Sequence, residues 1–131
     1  MQVVDLKSIV DDRGALVSLE ALKNVPFEFK RLYYLTKLDG SHPRGFHAHK
    51  QLKQLLICVH GSCDLILDNG FNKETIHLDS PFKGVLIESL VWREMHNFSS
   101  DCVLIVLASE HYDESDYIRS YEDFKKEVES H

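Results

Sequence analysis

Short β-prone runs separated by turn residues constrain this chain more than any other feature. Phe27 to Leu35 mixes apolar residues with aromatics, and Leu55 to Val59 is a continuous apolar run closed by His60-Gly61. Cys63, Leu65 and Leu67 alternate and lead into Asp68-Asn69-Gly70. Asn-Gly between two such runs is a strong hairpin signal, because both residues tolerate positive φ. A strand from Glu74 to Leu78 follows, then a turn at Ser80-Pro81-Phe82-Lys83-Gly84, then strands at Val85 to Ile87 and Cys102 to Ala108. Strands at spacings of about 8–12 residues predict an all-β sandwich or barrel.

The C-terminal end changes period. Tyr117, Tyr121, Phe124 and Val128 recur at helical spacing, and Ser120 with Asp123 resembles a capping box. A short amphipathic helix is expected there, packed outside the barrel or across a dimer. The 131 residues are read as one domain, long enough for an apolar core without a staple. No repeat, linker or low-complexity segment interrupts them.

Charge and apolar length exclude several function classes. A net charge of -6 argues against a nucleic-acid surface, although a local basic pocket for one diphosphate remains compatible with it. No run reaches the roughly 18 apolar residues of a membrane span, and Met1-Gln2-Val3-Val4-Asp5 lacks a signal pattern, so a cytoplasmic location is expected. Cys58, Cys63 and Cys102 lie in apolar runs without a CxxC, which predicts buried, reduced thiols.

Of eight histidines, His47 and His49 stand out, in Arg44-Gly45-Phe46-His47-Ala48-His49-Lys50. Residues two apart in an extended chain face the same side, so both imidazoles project together. They read as two metal ligands, as a base with its support, or as satisfied structural groups. After His49 come four residues, then Gln54, then six more, then Gly61. That spacing resembles the first cupin motif, which carries Glu where Gln54 stands. In the second motif the third His position falls on Arg93, whose permanent charge forbids coordination. Two of four ligands remain, which favours metal-free acid–base chemistry; a metal-dependent cupin such as a dioxygenase is the alternative.

An ordered set of motifs resembles the cupin-type sugar 3,4-ketoisomerases that act on dTDP-4-keto-6-deoxyglucose. The set comprises Asp12-Arg13-Gly14 with Leu16, Pro26-Phe27, Lys30-Arg31-Leu32-Tyr33-Tyr34, the histidine segment and Gly61-Ser62-Cys63. It continues with Leu78-Asp79-Ser80-Pro81, Trp92-Arg93-Glu94-Met95, Leu107-Ala108-Ser109 and Tyr112-Asp113-Glu114-Ser115-Asp116-Tyr117-Ile118-Arg119. Arg93 is a departure, since members of this group can carry His there. The resemblance implies a metal-free and cofactor-free cupin jelly-roll barrel, dimeric with exchanged N-terminal strands. It implies a dTDP-linked keto sugar whose carbonyl moves from C4 to C3, for later conversion to a 3-amino-3,6-dideoxyhexose. Within that frame His49 is expected to be the main proton shuttle through an enediol, with His47 and Tyr33 as partners. Arg44 and Arg13 are expected to grip the diphosphate. Arg13-Gly14 resembles the branch giving a galacto product. Trp92 is expected to stack on base or sugar, and Gln54 to bond the sugar or a histidine. Lys50 and Arg93 complete the expected substrate-binding set. The competing readings are a 3,5-epimerase of the same substrate and a non-catalytic sugar-nucleotide sensor.

Overall fold

The structure is a computed structural model and describes residues 2–131. In chain order the strands are β1 (Gln2–Asp5), β2 (Ser8–Asp11), β3 (Gly14–Val17), β4 (Arg31–Leu35), β5 (Arg44–His49), β6 (Gln54–His60), β7 (Cys63–Asp68), β8 (Lys73–Leu78), β9 (Lys83–Ile87), β10 (Trp92–His96) and β11 (Val103–Ala108). A single 3-10 turn at Glu114–Asp116 leads to β12 (Tyr117–Ile118) and α1 (Tyr121–Glu129). Two five-stranded antiparallel sheets, β1-β9-β6-β11-β4 and β12-β5-β10-β7-β8, face each other as a jelly-roll barrel of cupin type. β2 and β3 pair separately as a hairpin. No helix among the described residues is long and apolar enough to cross a membrane.

The patterning of β6 explains its continuous apolar run. Leu56 and Cys58 enter the core between the sheets, with Leu65, Leu67, Val85, Ile87 and Leu104. Leu55 and Ile57 point the other way, under Leu6, Val25, Phe27 and Leu107 from flanking segments. A strand buried on both faces loses its polar alternation. All three cysteines are unbridged and buried.

Several element boundaries shift from expectation, among them that of β11, which begins at Val103 rather than Cys102. The strand anticipated from Phe27 begins at Arg31, because Phe27 is spent covering the outer face of the first sheet. The turn at Ser80 ends at Phe82, because Lys83 and Gly84 pair with Asp5 and Val4 of β1. The expected Asn69-Gly70 hairpin forms, with a four-residue connection, 69–72, in which Asn69 Oδ1 accepts from the Phe71 and Asn72 amides. Tyr117 lies outside the helix, on β12, paired with His49. The helix itself starts at Tyr121, with Ser120 Oγ capping the Asp123 amide. It packs Phe124 on Trp92, and Lys125 Nζ donates to the Gly70 carbonyl at 2.8 Å.

Candidate active site

A β-bulge aims the histidines. Between β5 and β10, His47 pairs with Arg93 and Gly45 pairs with Glu94, which leaves Phe46 as the extra residue. Gly45 (φ 95) and Phe46 (φ 58) are both left-handed. A Cβ on Gly45 would meet the Arg93 carbonyl at 2.9 Å, so glycine is required there. Bulges re-aim side chains next to functional sites, and a non-glycine residue at positive φ stores strain. Beyond the bulge, His47 and His49 turn to the same side, their rings 5.0 Å apart and nearly perpendicular.

The bulge opens onto a cavity of about 360 Å³ between the sheets. Its polar wall is formed by Arg31 and Tyr33 of β4, Arg44 and His47 of β5, Gln54 of β6, Arg93 of β10, then Tyr117 and Arg119. Four of these side chains are arginines and none is a carboxylate, in a chain of net charge -6. The barrel therefore concentrates positive charge at one mouth, which suits a polyanionic ligand.

Hydrogen bonds fix protonation states in the wall. His47 Nδ1–H donates to the Gly45 carbonyl at 3.1 Å, which leaves Nε2 as a lone-pair acceptor. His49 Nδ1–H donates to Asp116 Oδ2 at 3.1 Å, which leaves its Nε2 likewise unprotonated. Burial, then the Arg93 charge, pushes the His47 pKa down to about 4. The same two causes push His49 down to about 2. The Asp116 carboxylate favours a charged His49, but burial outweighs it at neutral pH. Both rings are thus neutral bases. Depth separates them: His47 forms cavity wall, whereas His49 lies wholly buried beneath it, 4.3 Å from the Tyr117 ring.

Arg93 and Gln54 form a chain ending on Tyr33. The Arg93 guanidinium donates Nη1–H to Gln54 Oε1 and Nη2–H to the Val91 carbonyl at 3.0 Å. Gln54 Nε2 then donates to the Tyr33 hydroxyl at 2.8 Å, so the phenolic proton is left for another acceptor. Burial raises the Tyr33 pKa and keeps it protonated. At two positions where the cupin motifs place metal ligands, a cation and an amide are hydrogen-bonded to each other, a donor set that does not fit a metal ion. Gln54 reaches Tyr33 and Arg93, not a histidine as one expectation had it.

Every buried side-chain nitrogen or oxygen without a partner, among the described residues, belongs to this neighbourhood: Arg31 Nε and Nη2, His49 Nε2 and Arg93 Nε. An orphaned buried polar atom costs about 1–3 kcal/mol, so such atoms cluster where a ligand supplies the partner. Arg31 also lies over the Tyr33 ring at 4.9 Å. Arg119 is held by Glu114 at 2.7 and 2.8 Å and stacks over Tyr117 at 4.3 Å.

Four expected site residues stand elsewhere. Arg13 lies at the tip of the β2–β3 hairpin, 88% exposed and paired with Asp11 at 2.7 Å. Gly14 beside it has φ 137, and neither residue lines the cavity. Lys50 lies past the end of β5, in a surface groove between β12 and α1. Trp92 faces outward, where its ring meets Tyr121 and Phe124 and its Nε1–H donates to Glu94 at 3.0 Å. Strand alternation forbids adjacent Trp92 and Arg93 from sharing one face, and the pairing of Arg93 with His47 turns Arg93 inward. Sequence reasoning gave no role in the site to Arg31, Tyr117, Arg119 or Asp116. Arg31 was within reach of it, being two residues before Tyr33 on an extended strand.

Fold and site together define a cupin-type jelly-roll enzyme with a cationic, histidine-bearing cavity. The family model described as FdtA (WxcM-like, C-terminal) matches residues 1–129. The TDP-4-oxo-6-deoxy-alpha-D-glucose-3,4-oxoisomerase of Aneurinibacillus thermoaerophilus is 54% identical over 127 residues, covering 97% of this chain and 91% of that protein. The sugar 3,4-ketoisomerase QdtA of Thermoanaerobacterium thermosaccharolyticum, solved in complex with TDP, superposes with a TM-score of 0.96 at 44% identity, covering 98% of this chain and 94% of its own. The TDP-quinovose 3,4-ketoisomerase WlaRB of Campylobacter jejuni superposes with a TM-score of 0.93 at 50% identity, covering 95% and 96%. The chain belongs to this family, the cupin-type sugar 3,4-ketoisomerases.

Proposed function

We propose that this chain moves the keto group of dTDP-4-keto-6-deoxyglucose from C4 to C3. One observation carries the reading: two neutral imidazoles stand in and behind the wall of a cavity bearing four arginines. The arginines suit a diphosphate, and the imidazoles suit abstraction of a proton made acidic by a neighbouring carbonyl.

His47 rather than His49 is assigned the first step, because His47 forms the wall. Its Nε2 takes the C3 proton as the C4 oxygen takes the Tyr33 phenolic proton, giving a neutral enediol. The C3 hydroxyl then returns its proton to Tyr33, and C4 receives one from the His47 imidazolium. Atoms balance without a redox partner. Arg31 joins Arg44 and Arg119 as diphosphate ligands, and Arg93 holds Gln54 and Tyr33 in place.

The exchanged dimer has a structural rationale. β4 is a free sheet edge whose Leu32 and Tyr34 are exposed, and the hairpin exposes Ile9, Val10 and Leu16. Seating one copy's hairpin on the other's β4 edge would bury both apolar sets and close the edge. It would also bring Arg13-Gly14 to the other copy, which the galacto assignment requires. Light scattering should give a dimer, and Tyr34→Glu a monomer; a monomeric parent removes the exchange.

Incubation with dTDP-4-keto-6-deoxyglucose in deuterated water, followed by NMR, tests the activity. The expected product has its carbonyl at C3; C4 carries solvent deuterium where the His47 imidazolium exchanges before it reprotonates the enediol, and the original C3 hydrogen where it does not. A small H4–H5 coupling from a reaction in light water marks the galacto product, and a large one replaces it with gluco. A carbonyl that stays at C4 with a changed C3 or C5 centre would make the enzyme an epimerase. Binding without any change in the sugar would make it a sensor.

A further inference from the structure

The partner of buried His49 is a half-buried carboxylate that strand periodicity does not reveal. Asp116 lies 67 positions along the chain from His49, in the 3-10 turn that enters β12. Its Oδ2 accepts from His49 Nδ1 at 3.1 Å and from the Leu52 amide at 3.3 Å, while Oδ1 accepts from the Gln51 amide at 2.8 Å. Its backbone is tied down as well, since the Lys50 amide donates to the Asp116 carbonyl at 3.0 Å. The carboxylate cannot turn away from the imidazole without losing two backbone hydrogen bonds.

We propose that Asp116 is a positioning residue for the isomerisation: it holds His49 in the Nδ1–H tautomer and supplies the countercharge when the histidine pair takes up a proton. The proposal rests on the reading of the site given above. Two physical effects connect the carboxylate to the reaction. A carboxylate only accepts, so it fixes which nitrogen of His49 carries hydrogen. A negative charge one ring behind His47 also lowers the cost of forming an imidazolium in a buried site that already contains Arg93. The neutral His49 ring, perpendicular to His47 at 5.0 Å, is the link between them. His49 thus acts from behind the wall, through His47, rather than as the principal shuttle.

Asp116→Asn in the full chain is the main test, because asparagine keeps the shape but can offer an N–H to His49 Nδ1. Three quantities are measured: the His49 ring ¹⁵N shifts without substrate, TDP binding by calorimetry, and kcat with KM on the keto sugar. The expected results are a switch of His49 to the Nε2–H tautomer, TDP affinity within about two-fold, and kcat lower by about 100-fold or more, as for a wrong-tautomer triad. In a His49→Gln background the same substitution should change kcat little, since residues that act as a unit are not additive. An unchanged tautomer, a kcat within about two-fold, or full additivity would overturn the proposal. Asp116→Glu retains the charge and serves if the asparagine variant fails to fold. It should keep the Nδ1–H tautomer and most of kcat, and loss of the tautomer sinks the idea. A parent protein that leaves the sugar unchanged defeats the proposed function instead, while the tautomer measurement still reads the Asp116 contact.

Discussion

The second sheet has two faces built from the same strands, and they differ in kind. On β5 and β10 the residues His47, His49 and Arg93 turn inward, and Ala48 and Trp92 turn outward. Outside, Ala48, Trp92, Ile118 and Phe124 close into an apolar cluster under α1, and the Trp92 indole N–H is satisfied by Glu94. Inside, His49, Arg93 and the neighbouring Arg31 carry polar atoms without partners, within a cluster of arginines. The outer face stores stability. The inner face gives stability up, by leaving groups unpaired, and gains a site that a polyanionic ligand completes.

Substitutions on each face should therefore separate cleanly, and the largest effect belongs inside. His47→Asn removes the proposed base and should lower kcat about 10²–10⁴-fold, the range for general acid–base groups. TDP affinity should be nearly unaffected. Near-parental turnover would transfer the base to His49 or Tyr33. Phe124→Ala, on the outer face, is the mirror test. Phe124 is fully buried, and its loss should cost about 3–5 kcal/mol of unfolding free energy in denaturant titration. Turnover per folded molecule should hold. A kcat that falls with stability would mean that the two faces are coupled.

Arg31→Leu comes next in size. Arg31 has two nitrogens without partners in the free protein, so a diphosphate would supply their first acceptors. Losing a charge-assisted pair costs about 1.5–3 kcal/mol, or roughly 10–150-fold in TDP affinity by calorimetry. Unchanged affinity would leave the diphosphate to Arg44 and Arg119 and would separate Arg31 from the ligand.

How far the site was legible follows the same division. Local signals carried the strands, the hairpin, the Ser120 cap and the parallel aim of His47 and His49, since each depends on neighbours within a few positions. Three features depend on contacts made across the fold. The bulge at Phe46 exists only in register with β10. The pairing of Asp116 with His49 joins segments far apart in the chain. The covering of Trp92 by α1 needs the helix to dock. Trp92 and Arg93 were both expected to bind substrate, yet alternation on a single strand allows only one of them inside. Arg13 was expected beside the sugar from its motif; within a single chain the hairpin tip holds it in solvent, away from the cavity, and the proposed exchange is what would carry it to a site.

The smallest expected effect lies in the pH dependence of stability, where buried and surface histidines have opposite signs. His47 and His49 are held down to about 4 and about 2 in the folded protein, against about 6.5 in a free chain. Above pH 6.5 neither state binds these protons. As pH falls below 6.5 the unfolded chain takes them up and the folded one does not, so the contribution is lost progressively, down to about pH 4 for His47 and about pH 2 for His49. His77 is the contrasting case. It sits in the open, and its hydrogen bond to Asp64 raises its pKa, so its contribution is present at low pH and fades as pH rises. That pair is exposed, and surface pairs contribute little. The melting temperature should therefore fall between pH 6.5 and 4.5, and His47→Asn should flatten that slope. His77→Asn should leave the slope almost unchanged. A His47→Asn slope equal to the parent's would show that His47 is not held neutral by burial, and would remove the physical reason for making it the base.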